Sequence, residues 1–110
     1  MAYAKTELFD MQLQQTAEFF KALAHPARLQ ILKYLAEIKT CITGDISEEL
    51  PLSRTTVNQH LAELRKVGFI IGHVEGVKKN YCLNPDIIKN VKKIIDGFLQ
   101  DIGCCDPVNC

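Results

Sequence analysis

The chain has 110 residues, 47% hydrophobic and 24% charged, and its 13 basic and 13 acidic residues leave it formally neutral. That length fits one domain with a modest core, which a second copy sharing a helical surface would enlarge. No apolar stretch reaches the length of a bilayer span, and the opening MAYAKTELFDMQ lacks the apolar block of a signal peptide; the expected compartment is the cytoplasm, with no membrane partner.

Residues 3–22 are predicted to be helical. Phe9, Leu13, Ala17 and Phe20 recur at helical spacing, while Leu8, Met11 and Phe19 fall off that stripe. A terminal helix with apolar residues on more than one side is suited to packing against a partner. Pro26, after His25, fits the first turn of a second helix, whose stripe is Leu29, Leu32 and Leu35, widened by Ile31 and Ile38. Thr43 is placed to cap a short third helix with Asp45 in its first turn, Ile46 and Leu50 inward, and Pro51 as its stop.

Ser53 is a suitable N-cap for a fourth helix, with Val57, Leu61 and Leu64 at i, i+4 and i+7 as its buried face and Gly68 as its C-terminal breaker. The stretch FIIGHVEGVKKNYCL reads as a two-stranded hairpin turning near Gly76. A last helix opens at Asn84-Pro85-Asp86, carries Ile87, Val91, Ile94, Ile95 and Phe98 on one stripe, and ends at Gly103. The order is helix, helix, short helix, helix, hairpin, helix. It predicts a mainly α fold with a small β-hairpin, a winged helix-turn-helix, over residues 1–103, followed by a cysteine-bearing tail at 104–110.

Neutral overall charge conceals an uneven distribution. From Pro51 to Lys93, eight basic residues face three acids, Glu63, Glu75 and Asp86, which is an electrostatic footprint suited to nucleic acid. With Val57, Leu61 and Leu64 turned inward, the opposite face of the fourth helix carries Thr55, Gln59, Ala62 and Lys66, flanked by Arg54 and Asn58. Gln and Asn pair with adenine edges, Arg forks onto guanine or phosphate, and Thr offers a hydroxyl or a methyl group. Ser53, Arg54 and the helix N-terminus suit a phosphate, and Thr56 is counted with them among the DNA-binding candidates. Lys78 and Lys79 on the hairpin are placed for DNA backbone or minor groove.

The stretches ALAHPARLQILKYL, SRTTVNQHLAELRKVGFI and EGVKKNYCL resemble the ArsR/SmtB family of winged-helix repressors, from about Phe20 to Leu83. The resemblance implies a homodimer formed by the first and last helices, an inverted-repeat operator, and release by an inducer. It places His60 on the family's recurrent recognition-helix histidine, as a hydrogen-bonded residue at the core edge or a phosphate contact rather than a metal ligand. Val77 stands where basic residues are common in that family's wing. No nucleophile sits beside an identifiable base and no phosphate loop is present, so no enzyme is expected.

The inducer is sought among thiols. CITGDI lacks the paired cysteines of the family's arsenic, lead or cadmium pattern at the third helix, and residues 86–101 contain no His for a zinc site on the last helix. Cys41 and Cys82 read as small packed hydrophobes. Cys104, Cys105 and Cys110 remain, three soft donors in seven residues. Three sulfurs complete the pyramidal shell of As(III), or of Sb(III); zinc, cadmium or lead would use the same cysteines with a further ligand. Some arsenic-responsive members of the family carry a similar cluster beyond the last helix. Two other readings stay open: a tail disulfide that senses oxidants, and an ion chaperone with a vestigial helix-turn-helix.

Overall fold

The computed structural model describes residues 7–38, 42–43, 46–75 and 78–103. Within them α1 spans Met11–Leu23, α2 Pro26–Ile38, α3 Arg54–Lys66 and α4 Pro85–Ile102; the strands are β1 (Ile42–Thr43), β2 (Ile70–Glu75) and β3 (Lys78–Leu83), and a 3-10 turn covers Ile46–Glu49. One core cluster joins all four helices to the sheet, with Ile31, Leu35, Val57, Leu64 and Ile70 at its centre.

The first helix begins later than residue 3. Asp10 leaves the helical region with φ −52° and ψ 139°, and its carboxylate accepts from the Gln12 amide at 3.1 Å, so α1 starts at Met11. Its inward face also differs from the predicted stripe. Thr16, Phe19 and Ala22 are buried, whereas Phe9, Leu13 and Phe20 are exposed. Periodicity alone does not choose between two apolar faces. Here Phe19 wins because it meets the ring of Phe69 edge-on at 6.0 Å. The Thr16 hydroxyl donates to the Gln12 carbonyl at 2.8 Å, which satisfies a polar group inside the core. In α2 Ile31 and Leu35 of the expected stripe are buried together with Ala27, Leu32 and Ile38 are half-buried, and only Leu29 of that stripe is exposed.

The predicted third helix is replaced by two elements. Thr43 pairs with Asn80 and Ile42 with Tyr81, so Thr43 lies in a strand and caps no helix; Asp45 lies outside the described residues. A four-residue segment is too short to sustain an α-helix, and Ile46 is buried from a single 3-10 turn instead. The wing is therefore a three-stranded antiparallel sheet in the order β1-β3-β2, not an isolated hairpin. Its β2–β3 register runs from Ile70 opposite Leu83 to Glu75 opposite Lys78, and the turn at residues 76–77 lies outside the described residues.

The recognition segment is closed at both ends. Beyond Val67, Gly68 takes φ +92°, its amide bonds to the Arg65 carbonyl, and the Phe69 amide reaches back to Leu64, each at 3.0 Å. This is the Schellman arrangement, with apolar residues at both ends of the longer bond. In α4, Pro85 opens the helix and Asn84 holds the N-cap position without a side-chain bond; its amide donates instead to the Phe69 carbonyl at 2.9 Å. Val91 is buried and the rest of the predicted stripe is half-buried.

Gly68→Ala is expected to destabilise the fold by about 1–3 kcal/mol, because a side chain there is strained by the left-handed backbone and its Cβ would come within 3.1 Å of Ile87. A urea unfolding midpoint that falls with an unchanged slope checks it.

Candidate nucleic-acid interface

The N-terminus of α3 is organised by one hydroxyl. Ser53 Oγ accepts from the Thr56 amide at 3.2 Å and donates to Thr56 Oγ1 at 3.0 Å, while its carbonyl accepts from the Val57 amide. The cap faces solvent, and the first-turn amides of such a helix point outward toward any anion placed there. Val57, Leu61 and Leu64 are buried, as their spacing requires. That leaves Arg54, Thr55, Asn58, Gln59, Ala62 and Lys66 exposed along the outer face, with Thr56 half-buried beside the cap. Lys78 and Lys79 open β3, opposite Glu75 and Val74 of β2.

A notch of about 120 Å³ lies between this helix and the sheet, lined by Asn58, Leu61, Ala62, Arg65 and Tyr81. Arg65 lies across β2 at Gly72, where a Cβ would come within 3.2 Å of its guanidinium and 3.3 Å of Tyr81. Arg65 was not among the sequence-predicted contacts. The missing side chain at Gly72 lets a cation rest where the recognition helix meets the wing.

His60 stands apart from its neighbours on α3. It is only 8% exposed, so it lies behind the helix's outer face, on which Gln59 is exposed. Its Nδ1 accepts from Arg28 Nε at 3.1 Å, and its ring lies 4.2 Å from that of His25. Arg28 also donates to the carbonyls of Lys21 and Ala22 at 3.2 and 3.3 Å, and His25 Nδ1 accepts from the Ala27 amide at 3.0 Å, capping α2. Both imidazoles therefore accept at Nδ1 and carry their hydrogen on Nε2 when neutral. Bonded this way, neither ring offers a free lone pair to a metal. Burial, then the neighbouring His25 and Arg28, hold His60 below the ordinary histidine value. No local pattern marks this junction, because its partners lie 32 residues apart; only the HPAR stretch marks one half of it.

The thiols divide differently from expectation. Cys82, expected as a packed hydrophobe, is disulfide-bonded. Cys41 and the tail cysteines Cys104, Cys105 and Cys110 lie outside the described residues. Among the described residues no group of three or more His, Cys, Asp or Glu side chains is placed to hold a metal ion, and no helix is long and apolar enough to cross a membrane.

A capped, polar-faced helix packed between a helix pair and a small sheet defines a winged helix-turn-helix regulator of transcription. Residues 25–71 match the family described as "Bacterial regulatory protein, arsR family". An uncharacterised HTH-type transcriptional regulator of Methanocaldococcus jannaschii is 36% identical over 83 residues, covering 76% of this chain and 93% of that protein. The arsenical resistance operon repressor of Escherichia coli is 34% identical over 79 residues, covering 72% and 68% respectively. The solved structure of HlyU from Vibrio cholerae is similar with a TM-score of 0.62 at 27% identity, covering 78% of this chain and 94% of that one. The chain belongs to the ArsR/SmtB family, whose members are transcriptional regulators and not enzymes.

Ser53→Ala is expected to cost about 1 kcal/mol of stability, read as a lower urea midpoint. The junction adds a pH dependence. With the folded His60 value below 6.5, the folded state favours the neutral ring, so its contribution is complete above that value and is lost as pH falls through the lowered one. The melting temperature of the wild type should fall more steeply between about pH 7 and pH 5 than that of His60→Asn, which keeps an acceptor and does not titrate.

Proposed function

We propose that the chain is a homodimeric repressor that grips an inverted-repeat operator and is released when As(III), or Sb(III), is captured by Cys104, Cys105 and Cys110. The observation that carries the DNA half is the exposed row Arg54, Thr55, Asn58, Gln59 and Lys66 on a helix whose opposite face is fully buried. Ser53 and Thr56 organise the end that meets a phosphate, and Lys78 and Lys79 supply charge from the wing. His60 acts from behind the helix.

Exposed apolar side chains support the dimer. Leu13 of α1 is 48% exposed and Leu99 and Ile102 of α4 are 52% and 58% exposed. Phe20 and Phe98, in edge contact at 5.9 Å, tie the two helices into one surface. A second copy covering that surface would bury apolar area that water otherwise wets, and its two-fold symmetry would match two operator half-sites. Residues 1–103 are then the DNA-binding and dimerisation domain, residues 104–110 the sensing tail, and the cytoplasm the place of action.

The inducer rests on the chemistry of the donor set. Three thiolates beyond Gly103 suit a thiophilic metalloid that needs three sulfurs. Gathering Cys104, Cys105 and Cys110 together draws the tail onto the end of α4. Because α4 packs on α1 through Phe98 and Phe20, the dimer surface is then biased away from the spacing that suits DNA. A coupling of about 1–3 kcal/mol weakens binding by about 5- to 150-fold. The similarity to an arsenical resistance operon repressor supports this reading. One observation favours a rival, a regulator of the same fold that responds to oxidants: the disulfide at Cys82.

The test is a titration of the reduced protein, bound to DNA from its own promoter, with arsenite, antimonite, cadmium and zinc. Arsenite should release the wild type, and the triple variant Cys104→Ser, Cys105→Ser, Cys110→Ser should bind DNA normally and stay bound. Release of that variant by arsenite refutes the site. Peroxide-induced release without a response to arsenite supports the rival.

A further inference from the structure

We infer that Arg28 is a positioning residue for DNA recognition: it straps the recognition helix α3, through His60, to the end of the α1 dimerisation helix. The inference rests on the DNA-reading role given to α3. One guanidinium makes all the bonds. Its Nε donates to His60 Nδ1 in the middle of α3, and its Nη1 donates to the Lys21 and Ala22 carbonyls in the last turn of α1. Those carbonyls lie at a helix C-terminus, which carries partial negative charge, and the Lys21 carbonyl also accepts the Ala24 amide at 3.2 Å, so a cation there is held by position as well as by hydrogen bonds. Arg28 itself sits in the first turn of α2. Three helices thus meet at one side chain.

The arrangement transmits position because its geometry is restrictive. A planar guanidinium donates in fixed directions, so a shift of α1 relative to α3 must stretch either the carbonyl bonds or the His60 bond. His60 lies on the buried side of α3, and Asn58, Gln59 and Ala62 around it are exposed. Moving His60 therefore moves the side chains that face the groove. His25 completes the junction: its ring rests 4.2 Å from that of His60, and its Nδ1 holds the start of α2.

The strap also has a chemical switch. A proton on His60 Nδ1 removes the acceptor that Arg28 uses and sets two cations against each other. The charged and titratable groups acting on His60 are His25 and Arg28, both at the start of α2; α1 bears on it only through Arg28, which binds the Lys21 and Ala22 carbonyls, and among the described residues no carboxylate acts on it. Nothing nearby rewards protonation, so acid should loosen the strap.

Fluorescence anisotropy of a labelled duplex from the chain's own promoter region, with Arg28→Met and His60→Asn, tests this. At about pH 7.5, Arg28→Met should bind about tenfold more weakly than wild type, as expected for losing a charge-assisted bond. From about pH 7.5 to about pH 5.5 the wild type should lose about tenfold in affinity, and His60→Asn only about threefold. NMR titration of the His60 ring should show its midpoint rising in Arg28→Met, an effect that a purely packing role would not produce. Arg28→Met binding within twofold of wild type, or a His60 midpoint that Arg28→Met leaves unmoved, overturns the strap. Failure of the wild type itself to bind the duplex overturns the DNA role of α3, and the His60 titration then decides the strap alone.

Discussion

Burial of the inner face of α3 is the constraint on which the rest depends. Val57, Leu61 and Leu64 are withdrawn from water into the same cluster as Ile31, Leu35, Phe69 and Ile70. Removing apolar side chains of this size from solvent contributes about 1.5–3 kcal/mol each, far more than any single surface bond on the outer face. That burial sets the rotation of the helix about its axis. Once the rotation is set, Arg54, Thr55, Asn58, Gln59 and Lys66 have no direction left but outward.

Rotation alone leaves the helix free to slide and fray, and the two caps remove that freedom. Ser53 stops the helix at one end with a hydroxyl, and Gly68 stops it at the other by turning left-handed. The turn at Gly68 then delivers Phe69 and Ile70 into the core and starts β2. Phe69 works twice: its ring meets Phe19 of α1, and its carbonyl receives the Asn84 amide at the start of α4. The capped helix α3, the wing and the terminal helices are therefore positioned by adjacent residues rather than by separate devices.

Polar contacts occupy the places where this apolar framework changes direction. Arg28, His25 and His60 stand where α1 ends, α2 begins and α3 passes behind them. Arg65 stands where α3 meets the sheet, over Gly72. Directional bonds at such corners add little net stability compared with the core, yet they restrict the angles between elements. The proposed dimer, with two copies of α3 at a set spacing, would depend on those angles.

The helical content, the caps of α3, its buried and exposed faces and the basic character of the second half were legible in the sequence, because each follows from local spacing or from a residue's own conformational preference. So was the family, since its marker stretches are contiguous. The start of α1, the choice between its two apolar faces, the pairing of Thr43 with β3 and the partner of the hydrogen-bonded His60 were not. Those depend on partners remote in the chain: Phe69 for the face of α1, Asn80 for Thr43 and Arg28 for His60. A linear pattern records which side chains can be buried or bonded, whereas only the folded chain brings together the ones that are.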